Sequence, residues 1–181
     1  MSADIVATVL IALAGAWCCR WAYRRIGAAC ELPDELLGAE LAYAERTFRL
    51  ELPQIRLSAR VDRAYRAQNG VVTPAELKTR RIHRPYLSDV IELSVQRLVL
   101  MSETGESVAR YAYVLVQGPR RTSTHRVELL SEAQVLALVA RREAILSGNA
   151  QAALARDSGL CAHCAFAIEC RRSDHGSPSR R

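Results

Sequence analysis

Apolar residues recur along this chain in several distinct rhythms, and the rhythms divide it into elements. Ile5 to Cys19 is an unbroken apolar run, extended past Arg20 by Trp21, Ala22 and Tyr23 and closed by Arg24 and Arg25. Pro33 and Asp34 then open a segment in which Leu36, Leu37, Leu41, Tyr43, Ala44 and Phe48 return at spacings near 3.6, which predicts a helix ending before Pro53. Two strand-like runs follow, Ile55 to Ala67 and Val71 to Thr79, and the Asn69-Gly70 between them is a strong hairpin signal. A basic loop, Arg80 to Arg84, leads through Pro85 into a helix from Tyr86 to Met101. Tyr111 to Gln117 has the composition of a buried strand, and Thr124 to Leu129 forms a shorter one. Ser131 and Gln134 make a capping box for a last helix that stops near Ser147-Gly148. The order helix, hairpin, helix, strand, strand, helix implies an α/β sandwich around a mixed sheet.

The 181 residues suffice for one domain with an appendage. Half the residues are apolar and 24% are charged, which excludes a disordered chain and a fibre. The expected layout is an anchor over residues 1–25, a domain over 26–172 with a cysteine cluster at its end, and a disordered tail over 173–181. Residues 5–23 are about as long as the shortest membrane helices, with Trp17, Trp21 and Tyr23 suited to the interface and Arg20 able to snorkel. No positive charge precedes the run, so it reads as an anchor and not as a secretory signal. Arg20, Arg24 and Arg25 after it leave the rest of the chain in the cytoplasm by the positive-inside rule.

The net charge of +6 and pI near 9.3 favour a polyanionic partner, either nucleic acid or an anionic membrane surface. Of the 25 basic residues, 24 are arginine, and Lys78 is the sole lysine. A chain that uses Arg wherever a positive charge suffices has here kept a compact ammonium with a tunable pKa, which guanidinium cannot imitate.

Lys78 stands two residues after Glu76 in a strand, so both side chains leave one face of the sheet. Asp62 lies in the partner strand. A two-residue Asn69-Gly70 turn would pair Asp62 with Leu77, on the wrong face; a bulge at Pro74, which cannot donate to the ladder, would shift Asp62 opposite Lys78. Two carboxylates and an ammonium would then converge, the set that metal-dependent phosphodiester hydrolysis requires, with Asp62 and Glu76 holding Mg²⁺ or Mn²⁺. Asp89, Glu92 and Gln96 fall on one stripe of the following helix, as a solvated face or as a second polar set.

Asp62, then Pro74-Ala75-Glu76-Leu77-Lys78, then Gln96 in a helix, resemble the PD-(D/E)XK nucleases of the RecB type, including the CRISPR-associated RecB-like exonucleases. The resemblance implies a restriction-endonuclease-like mixed central sheet flanked by helices. It also implies Asp62 and Glu76 as metal ligands, Lys78 as the catalytic lysine, Gln96 at the substrate and DNA as partner. Two positions depart from the family: Leu100 stands where a Tyr usually follows the Gln, and Glu40, Tyr43 and Glu45 occupy the region of a metal-binding His.

Cys161, Cys164 and Cys170 are spaced to close around a metal, and Cys30 is the only other cysteine outside the apolar run. One amino-terminal Cys with a carboxy-terminal triplet is similar to the 4Fe-4S clasp of some RecB-like nucleases. A zinc site, with His163 or His175 in place of Cys30, is the alternative. Arg80, Arg81 and Arg84 are candidates for contacts to backbone phosphates, with His83 between them as an auxiliary acid. A membrane-tethered nuclease is thus set against two other readings. One is an inactive nuclease-like module that binds DNA or protein, the other a zinc-stabilised membrane accessory protein.

Overall fold

A computed structural model describes residues 32–119, 121–153 and 164–168. The expected anchor, Cys30, Cys161, Cys170 and the expected tail lie outside the described residues. Among the described residues no helix is long and apolar enough to cross a membrane. The chain divides into two compact units, one ending at Leu136 and the other starting at Ala137.

The first unit is built on a five-stranded sheet in the order β1-β2-β3-β4-β5. Its strands are β1 Glu40–Leu52, β2 Ile55–Arg66, β3 Val72–Thr79, β4 Tyr111–Gln117 and β5 Thr122–Glu128. Pairing is antiparallel except between β3 and β4, so the sheet is mixed and the architecture is α/β, as expected. The parallel step needs a crossover, which helix α1, Leu87–Thr104, supplies. Gly105 ends that helix in the left-handed conformation at φ 71°.

The segment read as a first helix is instead a 3-10 turn, Asp34–Leu36, followed by strand β1. Leu37 and Leu41, which the helical pattern needs inside, are 66% and 50% exposed. Phe48, by contrast, is fully buried and Leu50 half-buried, two residues apart as on one face of a strand. Pro53, the expected helix stop, is a corner of the hairpin that pairs Leu52 with Ile55.

Apolar layers cover both faces of the sheet. Phe48, Val61, Val72, Val99, Leu100 and Val108 form one cluster on the α1 side, with Leu93, Val114, Val116 and Val127 beside it. Leu36, Tyr65, Ala75, Tyr113 and Leu115 form the layer on the opposite face. Helix α2, Glu132–Leu146, opens on the expected capping box: Ser131 N–H donates to Gln134 Oε1 at 2.9 Å, and Gln134 N–H donates back to Ser131 Oγ at 3.3 Å. In the second unit this helix continues to a left-handed Gly148, φ 76°, and Phe166 and Ile168 are exposed in a separate helical turn.

Candidate functional site

The hairpin between β2 and β3 sets the geometry of the site. Its loop holds three residues, since Ala67 and Val71 close it and Gly70 adopts φ 80°. The register therefore differs by one from a two-residue turn, and Ala64 faces Pro74 in an unbroken ladder. The expected bulge at Pro74 is absent; the loop provides the shift. Counting from the closing pair, Pro74 occupies a position that needs no hydrogen bond to β2, and the ladder to β4 starts only at Ala75.

The β2–β3 ladder ends at Arg63–Ala75, and continuing its register brings Asp62 opposite Glu76 rather than Lys78. Asp62 also sits at an irregularity in the β1–β2 pair. Rungs join Ala44 to Arg63 and Arg46 to Val61, with none between Glu45 and Asp62, and Glu45 takes a left-handed φ of 53°. There β2 parts from β3, and Leu77 N–H donates to Asp62 Oδ2 at 3.3 Å. The carboxylate thus occupies the fork where two strands separate.

Glu76 and Lys78 project on the α1 face, side by side with Val114 and Val116 of β4. Glu76 is 4% exposed, with both carboxylate oxygens engaged. Lys78 Nζ donates to Oε1 at 2.7 Å, and Gln96 Nε2, fully buried on α1, donates to Oε2 at 2.8 Å. Lys78 Nζ reaches Glu92 Oε2 at 2.7 Å as well. Burial pushes the Glu76 carboxyl above its ordinary value, and the charge of Asp62 adds to this against the hydrogen bonds from Lys78 and Gln96. Burial opposes the Lys78 ammonium, but its bonds to Glu76 and Glu92 outweigh that and raise its pKa. Gln96 Oε1 is buried without a hydrogen-bond partner.

Of the helical stripe, Glu92 and Gln96 reach the site and Asp89 does not. Asp89 accepts Tyr86 N–H at 2.7 Å and clasps Arg80 through both guanidinium nitrogens, at 2.7 and 3.2 Å. Its burial disfavours the charge, yet the bonds from Arg80 and the Tyr86 backbone hold its pKa below the usual carboxylate range. Arg80 lies 4.4 Å over the Tyr86 ring and fastens the basic loop to the helix start, whereas Arg81 and Arg84 are exposed. His83 Nδ1 is 2.9 Å from Ser123 Oγ, which is 3.0 Å from His125 Nε2. Leu100, at the family's Tyr position, is a core residue. Tyr43 donates to Glu106, Glu40 pairs with Arg66 and Glu45 with Arg60.

A cleft of about 470 Å³ opens beside these groups, lined by Ser58, Arg60, Asp62, Glu92 and Gln96 among others. Its oxygen donors suit a hard divalent cation, which needs only one or two carboxylates and takes its remaining ligands from water and phosphate. No cluster of three His, Cys, Asp or Glu side chains at ligand spacing occurs among the described residues. Arg60 carries no motif signal; its place two residues before Asp62 in a strand is the one clue to it in the sequence. Cys164, the one member of the cysteine set among the described residues, has an exposed thiol outside any disulfide.

No protein-family model matches the chain, and no curated protein matches it. Solved structures do. The crystal structure of SSO0001 superposes with a TM-score of 0.54 at 17% identity, over 93% of this chain and 76% of that one. A proposed exonuclease from Eubacterium rectale superposes with a TM-score of 0.50 at 12% identity, over 87% of this chain and 60% of that one. At such identities the likeness is one of fold, and it sets this architecture beside that of a proposed exonuclease.

Proposed function

We propose that the chain is a metal-dependent DNA nuclease of the PD-(D/E)XK type, tethered to the membrane by residues 5–23 with its catalytic domain in the cytoplasm. The observation that carries this reading is the convergence of Asp62, Glu76 and Lys78 at one fork of the sheet, with Gln96 fixing Glu76 from the helix. Bound Mg²⁺ or Mn²⁺ would supply an activated water and neutralise charge on the phosphate. Asp62 and Glu76 would hold the ion. Lys78 would orient the attacking water and stabilise charge on the pentacovalent phosphorus, with Glu92 holding its ammonium in the cleft. Gln96 fixes the rotamer of Glu76 and keeps a free acceptor, Oε1, at the site.

Arg81 and Arg84, exposed in the loop between β3 and α1, would meet backbone phosphates. Cys30, Cys161, Cys164 and Cys170 would bind a 4Fe-4S cluster, a role for which the resemblance and the cysteine spacing are the support. The full-length protein in detergent, incubated with labelled DNA and Mn²⁺, tests the chemistry. Cleavage that needs the ion and is slowed by about 10²- to 10³-fold in Lys78→Ala is the expected result; equal cleavage by the variant, or none by the parent protein, overturns it.

A further inference from the structure

Beyond the carboxylates, the cleft is bounded by a strand edge without a partner. β2 pairs with β3 only from Arg63 onward, so from Ile55 to Asp62 its β3 side carries no ladder partner among the described residues. Such an edge offers a row of free backbone N–H and C=O groups. Ser58, Ala59, Arg60 and Asp62 line the cleft from this edge, with Arg60 two residues before Asp62. Residues two apart in a strand are separated by about 6.7 Å, which is close to the separation of neighbouring phosphates in an extended nucleic-acid strand. Arg49 adds positive charge on the same β1–β2 ribbon, while Arg46 and Arg56 sit in exposed ion pairs with Glu103 and Glu51.

The pairing of Arg60 leaves it available. Its one charged partner among the described residues is Glu45, and both side chains are more than 60% exposed. Exposed pairs of this kind contribute little, so a phosphate that accepts two guanidinium hydrogen bonds can displace the carboxylate.

Resting on the nuclease reading, we propose that Arg60 grips the backbone phosphate next to the one at Asp62 and Glu76, and that the cleft accepts a single nucleic-acid strand lying along the open edge of β2. Arg60 is therefore a positioning residue for that strand. A peptide strand added to the same edge is the competing occupant.

Fluorescence anisotropy of the full chain with a labelled single-stranded oligonucleotide, in Ca²⁺ and across a salt series, tests this. Arg60→Ala should weaken binding roughly ten-fold and lower the slope of log affinity against log salt by about 0.7. Arg60→Lys should restore the slope but only part of the affinity. In cleavage assays with Mn²⁺, KM should rise more than kcat falls. Unchanged affinity and slope in Arg60→Ala overturn the proposal even where Lys78→Ala slows cleavage, leaving the nuclease reading intact. Loss of self-association in place of DNA affinity also overturns it and assigns the edge to a protein strand. A lowered slope in a protein that cleaves nothing keeps Arg60 as a nucleic-acid contact and sinks the nuclease reading alone.

Discussion

Glu76 is a buried carboxylate whose ionised form depends on its hydrogen-bond donors. Burial raises its pKa while Lys78 and Gln96 favour the charge, and an acid that must ionise to hold a cation loses function as the pH falls through that raised value. Removing the Gln96 donor removes one of the two bonds that support the carboxylate. Gln96→Leu should therefore move the acid limb of the kcat/KM profile to higher pH. An unshifted limb would show that Gln96 serves packing alone. The sequence made Glu76 and Lys78 conspicuous, through a strand spacing of two and a lysine without a second copy. It could not reveal that Glu92 joins them, because a helical stripe of Asp89, Glu92 and Gln96 looks the same whether it meets solvent, a loop or a sheet.

Elements bring these residues together through strand register and one helix cap. The β2–β3 hairpin was legible from Asn69-Gly70, but its three-residue loop was not, and that single residue decides which group faces Asp62. Strand β1 resembles a helix in sequence because Leu36, Leu37, Leu41, Tyr43, Ala44 and Phe48 imitate a 3.6 period; only burial separates Phe48 from the exposed Leu37 and Leu41. Strands β4 and β5 and both helices were readable because composition and caps agree with packing.

The α1 start depends on Asp89, buried against Arg80 and the Tyr86 backbone. Its lowered pKa means that the stability it contributes is full above the unfolded carboxylate value, about 3.9, and is lost as pH falls through the lower native one. Asp89→Asn should cost roughly 3 kcal/mol near neutrality, with the deficit shrinking in acid. Urea denaturation of both proteins at several pH values measures this; a deficit that persists in acid contradicts the assignment.

At the scale of the whole molecule, the proposed anchor and three of the four proposed cluster cysteines lie toward the two ends of the sequence, outside the described residues. Chain purified anaerobically from the membrane fraction should be brown and contain iron; a colourless protein with stoichiometric zinc would replace the cluster by a zinc site. The fold is shared in outline with a proposed exonuclease, and its chemistry rests on the side chains it brings together. The most direct measurement is single-turnover cleavage of labelled DNA by the full chain and by Lys78→Ala, each with Mn²⁺ and with EDTA. The account predicts ion-dependent cleavage slowed in the variant by about 10²- to 10³-fold. Cleavage at equal rates in the two proteins, or cleavage that survives EDTA, would contradict it.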